Sequence, residues 1–337
     1  MLIFAFYSSN MSRYLLFTFL TIILLASCNR PKQSQDDKSA KNIGILRYEV
    51  DLFNIDTNSF EDGLRKILPD YQIFLGDDMP DQNGINQLKG FVTDPLIRET
   101  YAYTIKQFPD VQWLYDEFEK GFRILSNKMP GITIPQVYTY ISGFDIQMPV
   151  KYADSALIIG LDLYLGKDFD TYKELGYPMY IIDRLTPDHI LPDAFREIAW
   201  AYLPQTQSNT LLDAMIEQGK LIYFTELMLP ATKKETLIKY TPAQLNWVIA
   251  NEQNLWTFII DNQLLYSSDP KALTTFMTDG PFTQGFSSES PSRMGHWIGW
   301  QIIKKYMQKN NIPLKDLLEE TDSQKILQQS GYKPSRV

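Results

Sequence analysis

Residues 191–204 read LPDAFREIAWAYLP, and the five at the centre, REIAW (196–200), decide how the second half of the chain is understood. The pattern is that of a helix carrying one glutamate, Glu197. A catalytic zinc helix brackets such a glutamate with histidines as H-E-x-x-H, which puts two ligands on one helix face. Here the bracketing positions hold Arg196 and Trp200. A guanidinium does not deprotonate in a protein and an indole N–H is only a donor, so neither can ligate a metal. The stretch is therefore expected to serve packing, with no metal.

Upstream of this helix the period changes. ITIPQVYTYISGF (132–144) and SALIIGLDLYLG (155–166) are short β-branched or aromatic runs punctuated by glycine, which predicts two neighbouring strands joined by DIQMPVKYAD (145–154). Before them, TNSFEDGLRKILPDYQIFLG (57–76) predicts a helix capped by Asn58 or Ser59, with Leu64, Ile67 and Leu68 at helical spacing. Residues 94–131 predict two helices broken near Pro109, the second capped by Asp110 and the region ended by Gly131. After REIAW, helical patterns run through 210–229, 241–265 and 294–310. Thr241-Pro242-Ala243-Gln244 combines a capping box with proline at the first helical position. This order predicts a helix-dominated α+β fold with a small mixed sheet in the first half and a helical second half.

Residues able to carry chemistry are sparse. His189, in TPDHILPD, precedes the Glu197 helix, and His296 opens GHWIGW. Neither has a second histidine at helical spacing. Each reads as a polar tip on a partly buried helix, the alternative being a zinc ligand or a general base. No G-x-S-x-G elbow, P-loop, dinucleotide fingerprint or C-x-x-C pair is present. Asp162, Asp168 and Asp170 lack the spacing of a calcium loop and read as loop carboxylates. Gly295 and Gly299 predict close helix packing. Trp247, Trp256, Trp297 and Trp300 could line a glycan or peptide groove, but helical spacing favours core positions.

The chain of 337 residues begins with a segment foreign to any fold. Arg13, an apolar run over 14–26 and the sequence LASC make a secretory signal, with Met11 an alternative start. LASC matches a lipoprotein lipobox, which makes Cys28, the sole cysteine, the lipidation site. Diacylglyceryl transfer to its thiol, cleavage before it and acylation of the new amine would give several acyl chains, enough for stable anchoring. The expected organisation is a signal peptide at 1–27, a polar flexible tether at 28–42 and one domain at 43–337. A net charge of −8 argues against nucleic acid as partner.

The segments LPDAFREIAWAYLP, LLDAMIEQGKLIYFTELMLP, YTPAQLNWVIANEQNLWTFIIDNQLLYSSD and SPSRMGHWIGWQIIKKYM, together with YEVDLFNID, IIGLDLYLG and the lipobox, resemble the gliding motility lipoprotein B (GldB) family of Bacteroidota. The resemblance covers most of the chain after Cys28. It implies a membrane-anchored cell-envelope protein, on the periplasmic or outer-membrane side, associated with gliding and with an envelope protein as partner. That family is in turn similar, remotely, to zincin-like peptidases, in which a strand, the H-E-x-x-H helix, a helix with a third ligand and an aromatic helix follow in order. Here SALIIGLDLYLG, REIAW, MIEQGK and GHWIGW follow in that order. Glu197 falls on the motif glutamate, Arg196 and Trp200 on its histidines, and Glu217 or Gln218 near the third-ligand slot. The resemblance thus implies a zincin-like domain without metal or cofactor, a non-catalytic pseudo-peptidase. An ordinary helix of no such ancestry, an active envelope peptidase with another site, and a surface glycan-binding lipoprotein remain the alternatives.

If Cys28 is the lipidation site, Cys28→Ala will leave an uncleaved, unacylated precursor. Intact-mass spectrometry of the membrane fraction checks this, and a cleaved, acylated variant would refute it.

Overall fold

Four short strands, β1 (Ile45–Arg47), β2 (Gln136–Tyr140), β3 (Val150–Ala153) and β4 (Ala156–Gly160), form one mixed sheet in the order β1-β2-β4-β3. β2 lies parallel to both β1 and β4, and β3 returns antiparallel to β4. The two strands expected from the sequence are β2 and β4, and they pair directly. The stretch between them was expected to be a plain connector, yet it contributes β3. β1 and β3 have three and four residues, too few for a period to emerge from the sequence. Residues 161–163, at the end of the second expected strand, leave the sheet as a 3₁₀ turn.

The computed structural model describes residues 44–153, 155–205, 209–283 and 287–334, which fall within one compact unit, Ile43–Val337. Cys28, the 1–27 signal segment and the 28–42 tether lie outside the described residues.

The sheet carries two hydrophobic clusters. Along β2, successive side chains point to opposite faces. Val137 joins the larger cluster with Val150, Leu157 and Ile159, whereas Tyr138 and Tyr140 pack on the smaller one. β4 is buried along its whole length, as a central strand in a covered sheet should be. The smaller cluster is closed by α1 (Tyr48–Phe53), α2 (Phe60–Ile67) and α3 (Gln82–Thr93). α4 (Pro95–Gln107) and α5 (Gln112–Lys128) break at Pro109 as the sequence predicts, and Asp110 accepts from the amide of Gln112. The cap before α2 differs from expectation. The carboxylate of Asp56 accepts from the amide of Asn58 and starts a 3₁₀ turn that runs into the helix, so Ser59 makes no capping bond. A carboxylate is the better partner for the positive end of that turn.

The second half is helical: α6 (Ile190–Ala201), α7 (Leu211–Met228), α8 (Lys234–Ile238), α9 (Pro242–Ala250), α10 (Glu252–Asp261), α11 (Pro270–Met277), α12 (Met294–Asn310), α13 (Leu314–Glu319) and α14 (Ser323–Ser330). The chain is thus a helix-dominated α+β protein. α9 opens with the expected reciprocal box between Thr241 and Gln244. The closest helix contact joins α7 and α12. A methyl group at Gly219 would overlap the backbone of Gly299, and one at Gly299 would overlap the carbonyl of Met215. The sequence signalled Gly299 and Gly295; Gly219, lacking a glycine four residues away, escaped notice. Beyond the glycines, Glu226 on α7 accepts from the Trp300 indole at 2.9 Å and the Lys304 ammonium at 2.9 Å on α12. No described helix is long and apolar enough to cross a membrane.

Gly299→Ala should therefore destabilise by roughly 3 kcal/mol or more, because rigid backbone has to move. Gly90→Ala, on an exposed face of α3 with open space around it, should stabilise by about 0.5–1 kcal/mol. Paired urea melts measure both, and similar effects at the two sites would contradict the close-approach reading.

Candidate functional site

α6 carries the motif positions, and the structure sends them in different directions. Phe195, Ile198 and Ala199 are fully buried and hold the helix against the core. Phe195 packs where Gly121 of α5 leaves room, since a methyl group at Gly121 would strike its ring. Arg196 lies on the flank of this face and donates from its guanidinium to the side-chain oxygen of Gln218 on α7. Arg196 thus meets a neutral amide at hydrogen-bond distance. Burial lowers its pKa, while the charges of Asp193, Glu197, Asp279 and Glu217 oppose that shift; a guanidinium stays cationic regardless. Glu197 is half-buried, and burial followed by the charge of Asp193 raises its pKa. Trp200 is 42% exposed, which corrects the expectation that it fills a packed face. It sits in the last turn of α6, past the point where the helix leaves the core.

Gln218 and Glu217, the two candidates for the third-ligand slot, part company because adjacent helical residues face different ways. Gln218 meets Arg196, whereas Glu217 lines a cavity of about 210 Å³ with Asp213, Lys220 and Glu320. Buried Lys220 donates to the carbonyls of Leu318 (3.2 Å) and Glu320 at the end of α13. Burial pulls its pKa down to about 8.

Around Arg196 lies a partly buried ionic cluster that no local motif announced. Asp193, one turn before Glu197, pairs with Lys239 at 2.5 Å and accepts from the Tyr164 hydroxyl at 3.1 Å. Burial opposes its ionisation, but Lys239 and then His189 outweigh this and hold its pKa below the usual carboxylate range. Lys239 caps α8 in the left-handed conformation, which aims its chain at this pair. Its carbonyl accepts from Arg293 at 2.9 Å. Arg293, itself left-handed at the start of α12, also faces Asp279 at 2.8 Å, and Asp279 pairs with Arg184 at 2.5 Å. The Arg293 guanidinium lies 5.5 Å from the ring centre of Tyr240. These residues come from segments scattered over more than a hundred positions, so no spacing in the sequence could join them.

The histidines join this cluster as neutral groups. His189 contacts the Thr186 hydroxyl through Nδ1 at 2.9 Å, and burial drives its pKa down to about 4. His296 meets the carbonyl of Met277 through Nε2 at 3.2 Å, and burial pushes its pKa well below the ordinary value. The aspartate trio also separates. Asp162 is fully buried and accepts from the amides of Ser142 (2.7 Å) and Phe144 (2.9 Å) and from the Ser142 hydroxyl (2.8 Å). It thereby fastens the turn after β2, in which Gly143 and Phe144 both have positive φ. Asp168 and Asp170 are exposed. Trp297 and Trp300 are buried, and Trp247 and Trp256 pack against the core, so these four rings do not form an open groove. Among the described residues no three His, Cys, Asp or Glu side chains are grouped to hold a metal ion.

A family model described as gliding motility protein GldB matches residues 29–334, and the chain belongs to that family. No curated protein and no solved structure matches it.

Two outcomes follow from this geometry. Trp200→Ala should cost less than about 1 kcal/mol, whereas Trp300→Ala should cost about 3–5 kcal/mol; chemical denaturation reads both. For His189 the folded pKa of about 4 lies below the ordinary 6.5. The unfolded chain then binds more protons between those values, and stability falls as pH drops from 6.5 toward 4. His189→Gln should flatten that limb of a melting-temperature profile, and an unchanged slope would contradict the buried neutral imidazole.

Proposed function

We propose that this member of the GldB family is a lipid-anchored cell-envelope component that works by binding another envelope protein, on a zincin-like scaffold whose metal helix has become a hydrogen-bonded packing element. The observation that carries this reading is the bond from Arg196 to Gln218. It joins a motif-histidine position to the third-ligand region across two helices, where a zinc ion would have joined them. Lys239 and Arg293 add further positive charge beside Asp193 and Asp279. The LASC sequence supports anchoring through Cys28, with the domain facing the periplasm or the outer-membrane side. The acidic net charge supports a protein partner over nucleic acid.

One observation favours the peptidase alternative, namely the raised pKa of half-buried Glu197 beside a second carboxylate. The two readings separate in a gliding bacterium that lacks its own family member. Glu197→Gln should restore gliding as well as the unsubstituted protein does, and the purified protein should carry no stoichiometric zinc. Loss of gliding by a folded Glu197→Gln variant, or one zinc per chain, would overturn the binding reading in favour of catalysis.

A further inference from the structure

The smaller hydrophobic cluster contains a cavity of about 250 Å³ between α1, α3 and the end of β2. Leu52, Phe53, Phe74, Leu88, Phe91 and Ile141 form its apolar wall, and Tyr48 and Glu49 supply the polar groups. Leu52, Phe53 and Ile141 are buried, while Phe74, Leu88 and Phe91 are half-buried and complete the outer side. Tyr48 is 5% exposed, and its hydroxyl has no hydrogen-bond partner among the described residues. Buried hydroxyls in folded proteins are nearly always bonded. The ring is held by stacking on Phe74, centroids 4.3 Å apart, and by Tyr71 at 5.0 Å. Glu49 is fully buried; one oxygen accepts from Arg47 and the other from the Thr139 hydroxyl, each at 2.8 Å.

We propose that this cavity is a binding site for a small, largely apolar molecule bearing an amide or similar carbonyl group. The aromatic and aliphatic wall takes the apolar body. The Tyr48 hydroxyl donates to the carbonyl oxygen. The volume lies below the roughly 300–1,000 Å³ of drug-sized pockets, which restricts the ligand to about ten non-hydrogen atoms. The site lies in the cluster opposite the Arg196 network and does not depend on the function proposed above.

Benzamide is a suitable probe, with benzene as the apolar control. Ligand-observed NMR on the purified full-length protein should give saturable benzamide binding with Kd of about 1 mM, the range open to so small a ligand. Tyr48→Phe removes an unpartnered hydroxyl, so its melting temperature should be unchanged or higher, while benzamide binding weakens about tenfold and benzene binding does not. Leu88→Trp fills the cavity and should abolish binding of both. Three results would overturn the proposal: no saturable binding, which means the hydroxyl meets an ordered water only; equal affinity in Tyr48→Phe; or binding that survives in a folded Leu88→Trp variant.

Discussion

At Gly219 and Gly299 the backbones of α7 and α12 touch with no side chain between them. Two long helices brought this close have few ways to slide, because packed backbone cannot give as side-chain ends can. The contact pairs Met215 with Gly299, and farther on Glu226 with Trp300 and Lys304. Residue numbers rise together on both helices, so the pair runs roughly parallel. Everything attached to either helix inherits this fixed register. Gln218 directly precedes Gly219, and its side chain is thereby held toward α6, where Arg196 meets it. At the other helix, Gly295 lets α12 approach the Phe276 carbonyl of α11, and the next residue, His296, bonds to Met277.

That rigid pair makes the buried charges tolerable. Removing a charge from water costs several kcal/mol, and only a partner in good geometry offsets it. Asp193, Lys239, Arg184 and Arg293 each have such a partner on another segment, Asp279 serving both arginines from a position open to solvent. A cluster of this kind contributes little net stability, yet it punishes any arrangement that leaves one member alone. Its effect is to select one docking of α6, α8 and α12 over competing dockings that would bury equal apolar area.

The local devices of this fold were readable because each is written in neighbouring residues: the Thr241–Gln244 box, the break at Pro109, the runs that became β2 and β4, the Gly295–Gly299 spacing. The cap before α2 was misplaced by two to three residues because Asp56, Asn58 and Ser59 are all acceptable capping types, and only geometry chooses among them. β1 and β3 were invisible because their hydrogen bonds, not their side-chain pattern, define them. At the candidate site the sequence supplied the identities of Arg196, Glu197, Trp200, Glu217 and Gln218 but not their directions. It suggested a packed Trp200 and left the choice between Glu217 and Gln218 open. The split between Glu217 and Gln218 depends on where α7 lies against α6, and the exposure of Trp200 on where α6 ends. The Asp279–Arg293–Lys239–Asp193 chain left no trace in spacing at all.

The charge cluster also bears on what Glu197 can do. A zinc ion makes a nucleophile by lowering the pKa of its bound water from 15.7 to about 7, within reach of a carboxylate base. Arg196, Lys239 and Arg293 bring positive charge to the same region, but guanidinium and ammonium groups only donate hydrogen bonds and leave the pKa of water far above that of any carboxylate. Burial, and then the charge of Asp193, raise the pKa of Glu197. Lys239 is, moreover, already committed to the largely buried carboxylate of Asp193, and Arg293 to the solvent-exposed one of Asp279. The same contacts tie α6 to the end of α8 and the start of α12.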